Sequence, residues 1–150
     1  DIKNFMPISS KISTSGQPSK SQMKEIASEG FEVVINLGLN DPKYCLSDEA
    51  GLVKSLGLEY YHIPINFLAP TIKNLENFFC VMDNVIDKNV FIHCAANKRV
   101  SCFVALYGES RFNWPQKQAD TIINHIWQPD EVWSLFIALA RKIKKNTPNE

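Results

Sequence analysis

VFIHCAANKRVS, residues 90–101, is the most informative segment of the chain. Residues 90–93 form an apolar run with the length and composition of a buried strand. Cys94 follows this run directly, and after a short loop of small and polar residues the segment 101–107 has the composition of a helix. A strand, a tight loop and a helix in this order surround one point with backbone N–H groups and the positive end of the helix dipole. The segment therefore predicts an anion-binding loop that begins at Cys94.

Two side chains in this segment carry the chemistry that such a loop can support. The field of the loop lowers the pKa of a cysteine below the ~8.5 of a free thiol, so we expect Cys94 to be a thiolate at neutral pH. Arg99 follows five residues later and is expected to reach back and hold the anion through two parallel hydrogen bonds. The pattern thus indicates a nucleophile and an anion clamp within one loop.

The motif resembles that of the cysteine-dependent phosphatases of the protein-tyrosine and dual-specificity type. In that superfamily His-Cys is followed by five residues, an arginine, and then Ser or Thr. Here His93, Cys94 and Ser101 occupy the family positions. Val100 occupies the usual arginine position, and Arg99 comes one residue early. The form His-Cys-Ala-Ala-Asn-x-Arg, followed by Ala or Val and then Ser, is similar to that of a bacterial subgroup of these proteins.

The resemblance extends beyond the loop, from about residue 15 to about residue 133. Asn97 stands where the family usually has glycine, and asparagine tolerates the left-handed backbone that such a loop needs. The resemblance implies that Cys94 attacks phosphorus to form a phosphocysteine, and that Ser101 donates a hydrogen bond to its sulfur in the second step. It also implies that His93 supports the loop through buried hydrogen bonds.

The phosphoryl oxygens would be held by the backbone amides of the loop and by the arginine. Lys98 is more simply interpreted as a solvated charge at the rim of the loop. The expected substrate-binding residues are Ala95, Ala96, Asn97, Lys98, Arg99 and Val100.

Two explanations account for the early position of Arg99. Either the loop is rearranged so that Arg99 points inward and Val100 faces the core, or the loop is unchanged and Arg99 is a cation at the surface. The small residues Ala95 and Ala96 leave room inside the loop, and an apolar Val100 suits a core-facing position. The first explanation is therefore favoured.

The general acid is the weakest element of the motif. The resembling families carry an aspartate on a loop after the preceding strand, whereas residues 64–71, PINFLAPT, contain no carboxylate and place Asn66 near that position. Asp41, Asp48 or Glu49 could substitute if their loop folds over the site. Helix capping or contact with solvent is the simpler interpretation of these three side chains.

Three classes of function stay open at this point. The first is a cysteine-based phosphomonoester hydrolase acting on aryl phosphates or phosphotyrosine. The second is a phosphate-binding module that has lost turnover, as the missing acid and the shifted arginine indicate. The third is a rhodanese-like sulfurtransferase, because the spacing from Cys94 to Arg99 resembles the shorter loop of those domains.

Outside this segment, strand-like and helix-like stretches alternate. Strands are predicted at residues 12–15, as an edge strand, at 31–37, as a central strand, and at 58–63. We therefore expect a single α/β domain over residues 1–150, a three-layer sandwich with helices on both faces of a mostly parallel sheet of about four or five strands. Ligands bind beyond the carboxyl ends of such strands, which is where Cys94 falls.

Composition restricts the partners. The 150 residues carry 16 Lys and Arg against 16 Asp and Glu, so no polyanion-binding surface is implied, and no apolar run approaches a membrane span. We expect neither nucleic acid nor membrane as a partner, but a phosphorylated small molecule or phosphoprotein, with a phosphate or sulfate anion in the loop.

The oligomeric state stays open. The chain starts at Asp1, so a cytoplasmic location and, after removal of a signal peptide, a periplasmic one both stay open.

Cysteine and histidine spacing predicts neither a metal site nor a cofactor. The chain has four cysteines, and their spacing is typical neither of a small disulfide scaffold nor of a zinc site. They are Cys45, Cys80, Cys94 and Cys102. Cys80 and Cys102 lie on predicted helices and are expected to be ordinary buried thiols. His62 and His125 have no ligand partners at metal spacing and are expected to be structural.

Overall fold

Short runs of Val, Ile and Phe build a five-stranded sheet in the computed structural model of the protein, which describes residues 1–146. The strands are β1 (Met6–Pro7), β2 (Ile12–Ser15), β3 (Val33–Asn36), β4 (Glu59–His62) and β5 (Val90–His93). The helices are α1 (Lys20–Ser28), α2 (Glu49–Ser55), α3 (Ile72–Asn84), α4 (Lys98–Arg111), α5 (Gln116–Ile126) and α6 (Glu131–Asn146). The sheet order is β1-β2-β5-β3-β4, and of these strands β1 alone is antiparallel to its neighbour. The predicted mostly parallel α/β sandwich is confirmed.

The central strand β5 brings three strand ends to one edge of the sheet. Its last residue, His93, pairs with Ser15 of β2 and with Asn36 of β3, both in parallel register. The N–H of Leu37 donates to the carbonyl of His93 at 2.8 Å, which extends the β3–β5 ladder by one residue. Cys94 therefore begins at the carboxyl edge, where ligands of α/β sheets bind.

Alternate residues of the inner strands enter two cores, because successive side chains of a strand point to opposite faces. In β3, Val33 and Ile35 face a larger core that α3, α4, α5 and α6 cover, whereas Val34 faces a smaller core under α1 and α2. Phe103 and Trp133 are fully buried in the larger core, with ring centroids 5.9 Å apart. Among residues 1–146, no helix has both the length and the apolar character needed to cross a membrane.

Capping side chains determine where helices begin. Thr71 caps α3, because its hydroxyl accepts from the N–H of Asn74 while the Asn74 side chain accepts from the N–H of Thr71, each at 3.0 Å. The carboxylate of Asp48 caps α2 by accepting from the N–H of Gly51 at 3.1 Å. The preceding Ser47 also has a side chain typical of a helix cap, so the sequence predicts the cap one residue too early.

Two other sequence predictions were also wrong. β2 is not an edge strand, because β1 pairs with its outer side through Met6 and Thr14. β1 has only two residues and includes Pro7, so the sequence shows no strand pattern there. Cys80 is exposed rather than buried. Cys102 is buried as expected, and burial raises the pKa of its thiol to about 12.

Candidate active site

Cys94 lies at the carboxyl end of β5, at the start of a tight loop that leads into α4. The residue is 1% exposed and packs in the larger core. Asn97 has a left-handed backbone with φ 64°, the conformation expected of it from the sequence, and it immediately precedes Lys98, the first residue of α4. Strand, loop and helix thus follow one another in the predicted order.

The carbonyl groups of this loop are held on its outer side. The backbone N–H of Gln17 donates to the carbonyl of Ala95 at 3.0 Å, and the side-chain amide of Asn4 donates to the carbonyl of Ala96 at 2.9 Å. In a trans peptide the N–H points away from the carbonyl, and the described chain contains no cis peptide bond. The N–H group of Ala96 consequently points away from Gln17. Ala96 also forms an isolated antiparallel bridge with Gly16, so the loop stays next to the end of β2. Backbone amides at such a turn, together with the amino end of a helix, form an arrangement that binds oxyanions.

Residues near the N-terminus contact the loop and stabilise its conformation. The buried side-chain amide of Asn97 donates to the carbonyl of Asn4 at 2.9 Å and to the hydroxyl of Thr14 at 3.0 Å. Gly16 leaves space for the loop, because a Cβ at this position would lie 2.6 Å from the carbonyl oxygen of Ala95. The conformation of the loop therefore depends on contacts with residues more than 75 positions earlier in the chain.

Arg99 is buried between the loops that follow three different strands. It is only 5% exposed, and its Nη1 donates to the carbonyl of Ile65 at 2.8 Å. Its Nη2 lies 3.4 Å from the hydroxyl of Tyr44, and the guanidinium carbon lies 5.9 Å from the ring centroid of Phe67. Val100 is fully buried in the larger core. Arg99 is thus not a solvent-exposed cation, and its guanidinium lies at the carboxyl edge of the sheet.

His93 contacts a buried carboxylate behind the loop. Its Nε2 lies 2.7 Å from Oε2 of Glu49, whose Oε1 accepts from the side-chain amide of Gln17 at 2.7 Å. Burial raises the pKa of Glu49, but its hydrogen bond and charge interaction with His93, together with neighbouring donors, outweigh burial and lower this pKa below its ordinary value of 4.5. The other ring nitrogen of His93, Nδ1, lies 3.4 Å from the carbonyl oxygen of Cys94. His93 therefore connects the loop to α2 through hydrogen bonds, the supporting role expected of it.

Ser101 and Lys98 contact each other in the first turn of α4. The hydroxyl of Ser101 donates to the carbonyl of Lys98 at 2.9 Å, so in this structure the hydroxyl hydrogen bonds the backbone rather than the sulfur of Cys94. The side chain of Lys98 is exposed, as expected for a cation at the rim. Its Nζ lies 5.3 Å from the ring centroid of Trp127, which is the geometry of a cation–π contact.

The carboxylates considered as a general acid have other partners. Asn66 is exposed, and its side-chain oxygen accepts from the N–H of Leu68 at 2.9 Å. Asp41 accepts from the N–H of Lys43 at 3.0 Å, and Asp48 caps α2. The capping interpretation therefore describes Asp48. Glu49 neither caps a helix nor meets solvent, because it is buried against His93.

Sequence reasoning missed the residues that shape the loop from a distance. Asn4, Gln17 and Tyr44 contact the loop or its arginine, yet each is a common polar residue with no local pattern that signals such a role.

Among residues 1–146, no group of three or more His, Cys, Asp or Glu side chains is placed to hold a metal ion. His62 hydrogen bonds the carbonyl of Gly38 at 2.6 Å, consistent with a structural role.

Comparisons with known proteins agree with this geometry. The family model described as "DSP-PTPase phosphatase fused to NAD+ Kinase" matches residues 7–125. A crystal structure of a DUF442 protein assigned as a phosphatase, from Shewanella putrefaciens CN-32, is 30% identical with a TM-score of 0.84. The alignment covers 95% of this chain and 91% of that chain. Comparison with curated proteins gives no match.

Other solved structures share the fold at lower identity. The core catalytic domain of the PP-IP phosphatase SIW14 from S. cerevisiae, in complex with citrate, is 16% identical with a TM-score of 0.74, over 96% of this chain and 92% of that one. PTPMT1 in complex with PI(5)P is 17% identical with a TM-score of 0.75, over 94% of this chain and 97% of that one. The family-model match over most of the chain and the 30% identical relative show that this protein belongs to the DSP-PTPase phosphatase family, within the protein-tyrosine and dual-specificity phosphatase superfamily.

Proposed function

We propose that the protein is a phosphomonoester hydrolase in which Cys94 forms a phosphocysteine intermediate. The observation that carries this proposal is the loop after β5, whose carbonyls are bound on the outer side by Gln17 and Asn4. The backbone amides of this loop and the amino end of α4 suit a phosphoryl group bound in front of a cysteine.

The proposed reaction has two displacement steps. The thiolate of Cys94 forms a bond to phosphorus while the bond from phosphorus to the leaving oxygen breaks, and that oxygen takes the electron pair and then a proton from solvent. Water next attacks the phosphocysteine, the sulfur–phosphorus bond breaks, and inorganic phosphate and the thiolate are released. Arg99 would hold the equatorial oxygens, since its buried guanidinium lies at the same edge of the sheet as Cys94.

Aryl phosphates, including phosphotyrosine, are the substrates best suited to this site. Residues 64–71 offer no carboxylate as an acid, so a leaving group must depart largely as an anion, and phenolate does so far more readily than an alkoxide. Both a phosphorylated small molecule and a phosphoprotein are compatible with this chemistry. PTPMT1, which shares the fold, is in complex with PI(5)P, so a site on this fold can accept a phosphorylated small molecule.

A second candidate is a phosphate-binding domain without turnover. Two observations favour it: the absence of a carboxylate in residues 64–71, and the Ser101 hydroxyl that is bound to the Lys98 carbonyl rather than to sulfur. The sulfurtransferase alternative is supported only by the spacing from Cys94 to Arg99.

The test measures phosphate release from p-nitrophenyl phosphate by the native protein, by Cys94→Ser and by the matched control Cys80→Ser, whose cysteine is exposed on α3. We expect release by the native protein and by Cys80→Ser, none by Cys94→Ser, and a phosphoryl group on the Cys94 peptide after acid quenching. Release that survives Cys94→Ser would refute the proposal. Without any release, protection of Cys94 from iodoacetate by phosphate would select the binding domain, and thiocyanate formation from thiosulfate and cyanide would select the sulfurtransferase.

A further inference from the structure

Two buried side chains that take no part in the proposed reaction face each other behind the loop. Nε2 of His93 lies 2.7 Å from Oε2 of Glu49, and the two side chains are 0% and 5% exposed. Nδ1 of His93 lies 3.4 Å from the carbonyl oxygen of Cys94. Glutamate is almost never fully buried unless it is paired, so the pairing with His93 explains how Glu49 can lie here.

Both partners of His93 are hydrogen-bond acceptors. Oε2 of Glu49 lies beside Nε2 of the ring, and the carbonyl oxygen of Cys94 lies beside Nδ1. The side-chain amide of Gln17 donates to the second oxygen of Glu49 at 2.7 Å, which favours the ionised carboxylate. The ring of His93 therefore lies between a carboxylate and the backbone of Cys94.

We propose that Glu49 is a positioning residue for the reaction of Cys94, an inference that rests on the proposed function. By holding His93 as an imidazolium, Glu49 keeps a positive charge behind the loop in which the thiolate and the phosphoryl group carry negative charge. Glu49 itself acts only through His93.

The pocket beside Glu49 supplies no second cation. This pocket, of ≈ 400 Å³, is lined by Asn36, Asn40, Cys45, Leu46, Ser47, Asp48, Glu49, Ala50, Tyr60 and His62, with no lysine or arginine among them. The titratable groups near the pair are Tyr60 and His62 from β4, Cys45 and Asp48 from the segment before α2, and Cys94 itself. Arg99 is the other buried cation of the loop. Burial raises the pKa of Tyr60 above its usual range, so its hydroxyl stays uncharged at neutral pH. The pocket also gives protons a route from solvent to Glu49.

The decisive variant is Glu49→Gln, which keeps the shape of the side chain and removes its charge. Without the carboxylate, a buried imidazolium is unpaired and His93 loses a proton. We measure alkylation of the Cys94 peptide by iodoacetamide between pH 4 and pH 9, using mass spectrometry to separate it from the other cysteines. An opposite charge close to a titrating group shifts its titration by about one pH unit or more. The midpoint of alkylation should therefore rise by about one unit, and the acid limb of kcat/KM should shift with it.

Two further variants make the test specific. Glu59→Gln is the matched control, because Glu59 pairs with Lys88 at the amino end of β4, far along the strand from the carboxyl edge. We expect this variant to alkylate like the native protein. Gln17→Met removes the donor to Glu49 and leaves the contact with His93, so the midpoint should rise by less than it does in Glu49→Gln. If circular dichroism shows that Glu49→Gln does not fold, the alkylation midpoint of Gln17→Met is compared with that of the native protein instead.

The outcomes separate this inference from the proposed function. An unchanged or lowered midpoint in folded Glu49→Gln would overturn the inference, and so would an equal rise in Glu59→Gln. Alkylation requires no turnover. A raised midpoint in a protein that releases no phosphate would therefore support the role of Glu49 behind Cys94 while refuting the phosphatase proposal.

Discussion

Replacing Arg99 by lysine is the sharpest test of the anion clamp. The substitution keeps the positive charge and removes the planar fork. A single ammonium cannot replace a guanidinium that donates to Ile65 at 2.8 Å and, in the proposed function, also holds the phosphoryl group. A hydrogen bond to a charged group contributes about 1.5–3 kcal/mol. Losing one such bond to the phosphoryl group in the transition state corresponds to a decrease in kcat/KM of roughly 10- to 100-fold.

The assay compares kcat/KM for p-nitrophenyl phosphate among the native protein, Arg99→Lys and a Cys94→Ser blank. Lys98→Arg is the matched control, since its side chain is the neighbouring cation but is exposed, and this variant should retain nearly full activity. Val100→Arg restores the usual family position of the arginine, but Val100 is fully buried, so this variant should lose stability rather than gain activity. A fully active Arg99→Lys would refute the assignment of Arg99 as the clamp.

Three further predictions concern the acid, the loop and the buried pair. Rates for aryl phosphates should fall steeply as the pKa of the leaving group rises, and phosphoserine peptides should hardly react, whereas a flat dependence would reveal a general acid elsewhere. Gly16→Ala should lower kcat/KM because its Cβ would meet the Ala95 carbonyl at 2.6 Å, while Gly57→Ala, at a positive φ of 86° with open space around it, should lose stability but keep activity once folded. The lowered pKa of Glu49 means that its stabilising contribution is present above the ordinary value of 4.5 and is lost as pH falls through the folded-state pKa. Urea unfolding of the native protein and of Glu49→Gln should therefore show a stability difference at pH 7 that shrinks below about pH 4.5, and a constant difference would contradict the ionised pair.

The class of fold and the position of Cys94 follow from the sequence alone. Residues 31–37 and 90–93 are mostly apolar, which is typical of buried strands. The helices between such strands have apolar residues at helical spacing on one face. The order of these elements then restricts the sheet to a mostly parallel one, and a residue directly after such a strand must lie at its carboxyl edge. Cys94 was located by that argument alone. The left-handed backbone of Asn97 was also predictable, because asparagine is one of the few residues that tolerate it.

The distant side chains that complete the site become visible only in the folded chain. The carbonyls of the Cys94 loop are oriented by Asn4 and Gln17, and Glu49 turned out to be the buried partner of His93 rather than a helix cap. β2 could not be placed inside the sheet from sequence, because the two-residue strand that covers it has no pattern of its own. Periodicity and turn chemistry are local properties of the chain, whereas these contacts join residues dozens of positions apart. Such contacts depend on how the strands are ordered and on which polar groups remain unpaired once the core has formed.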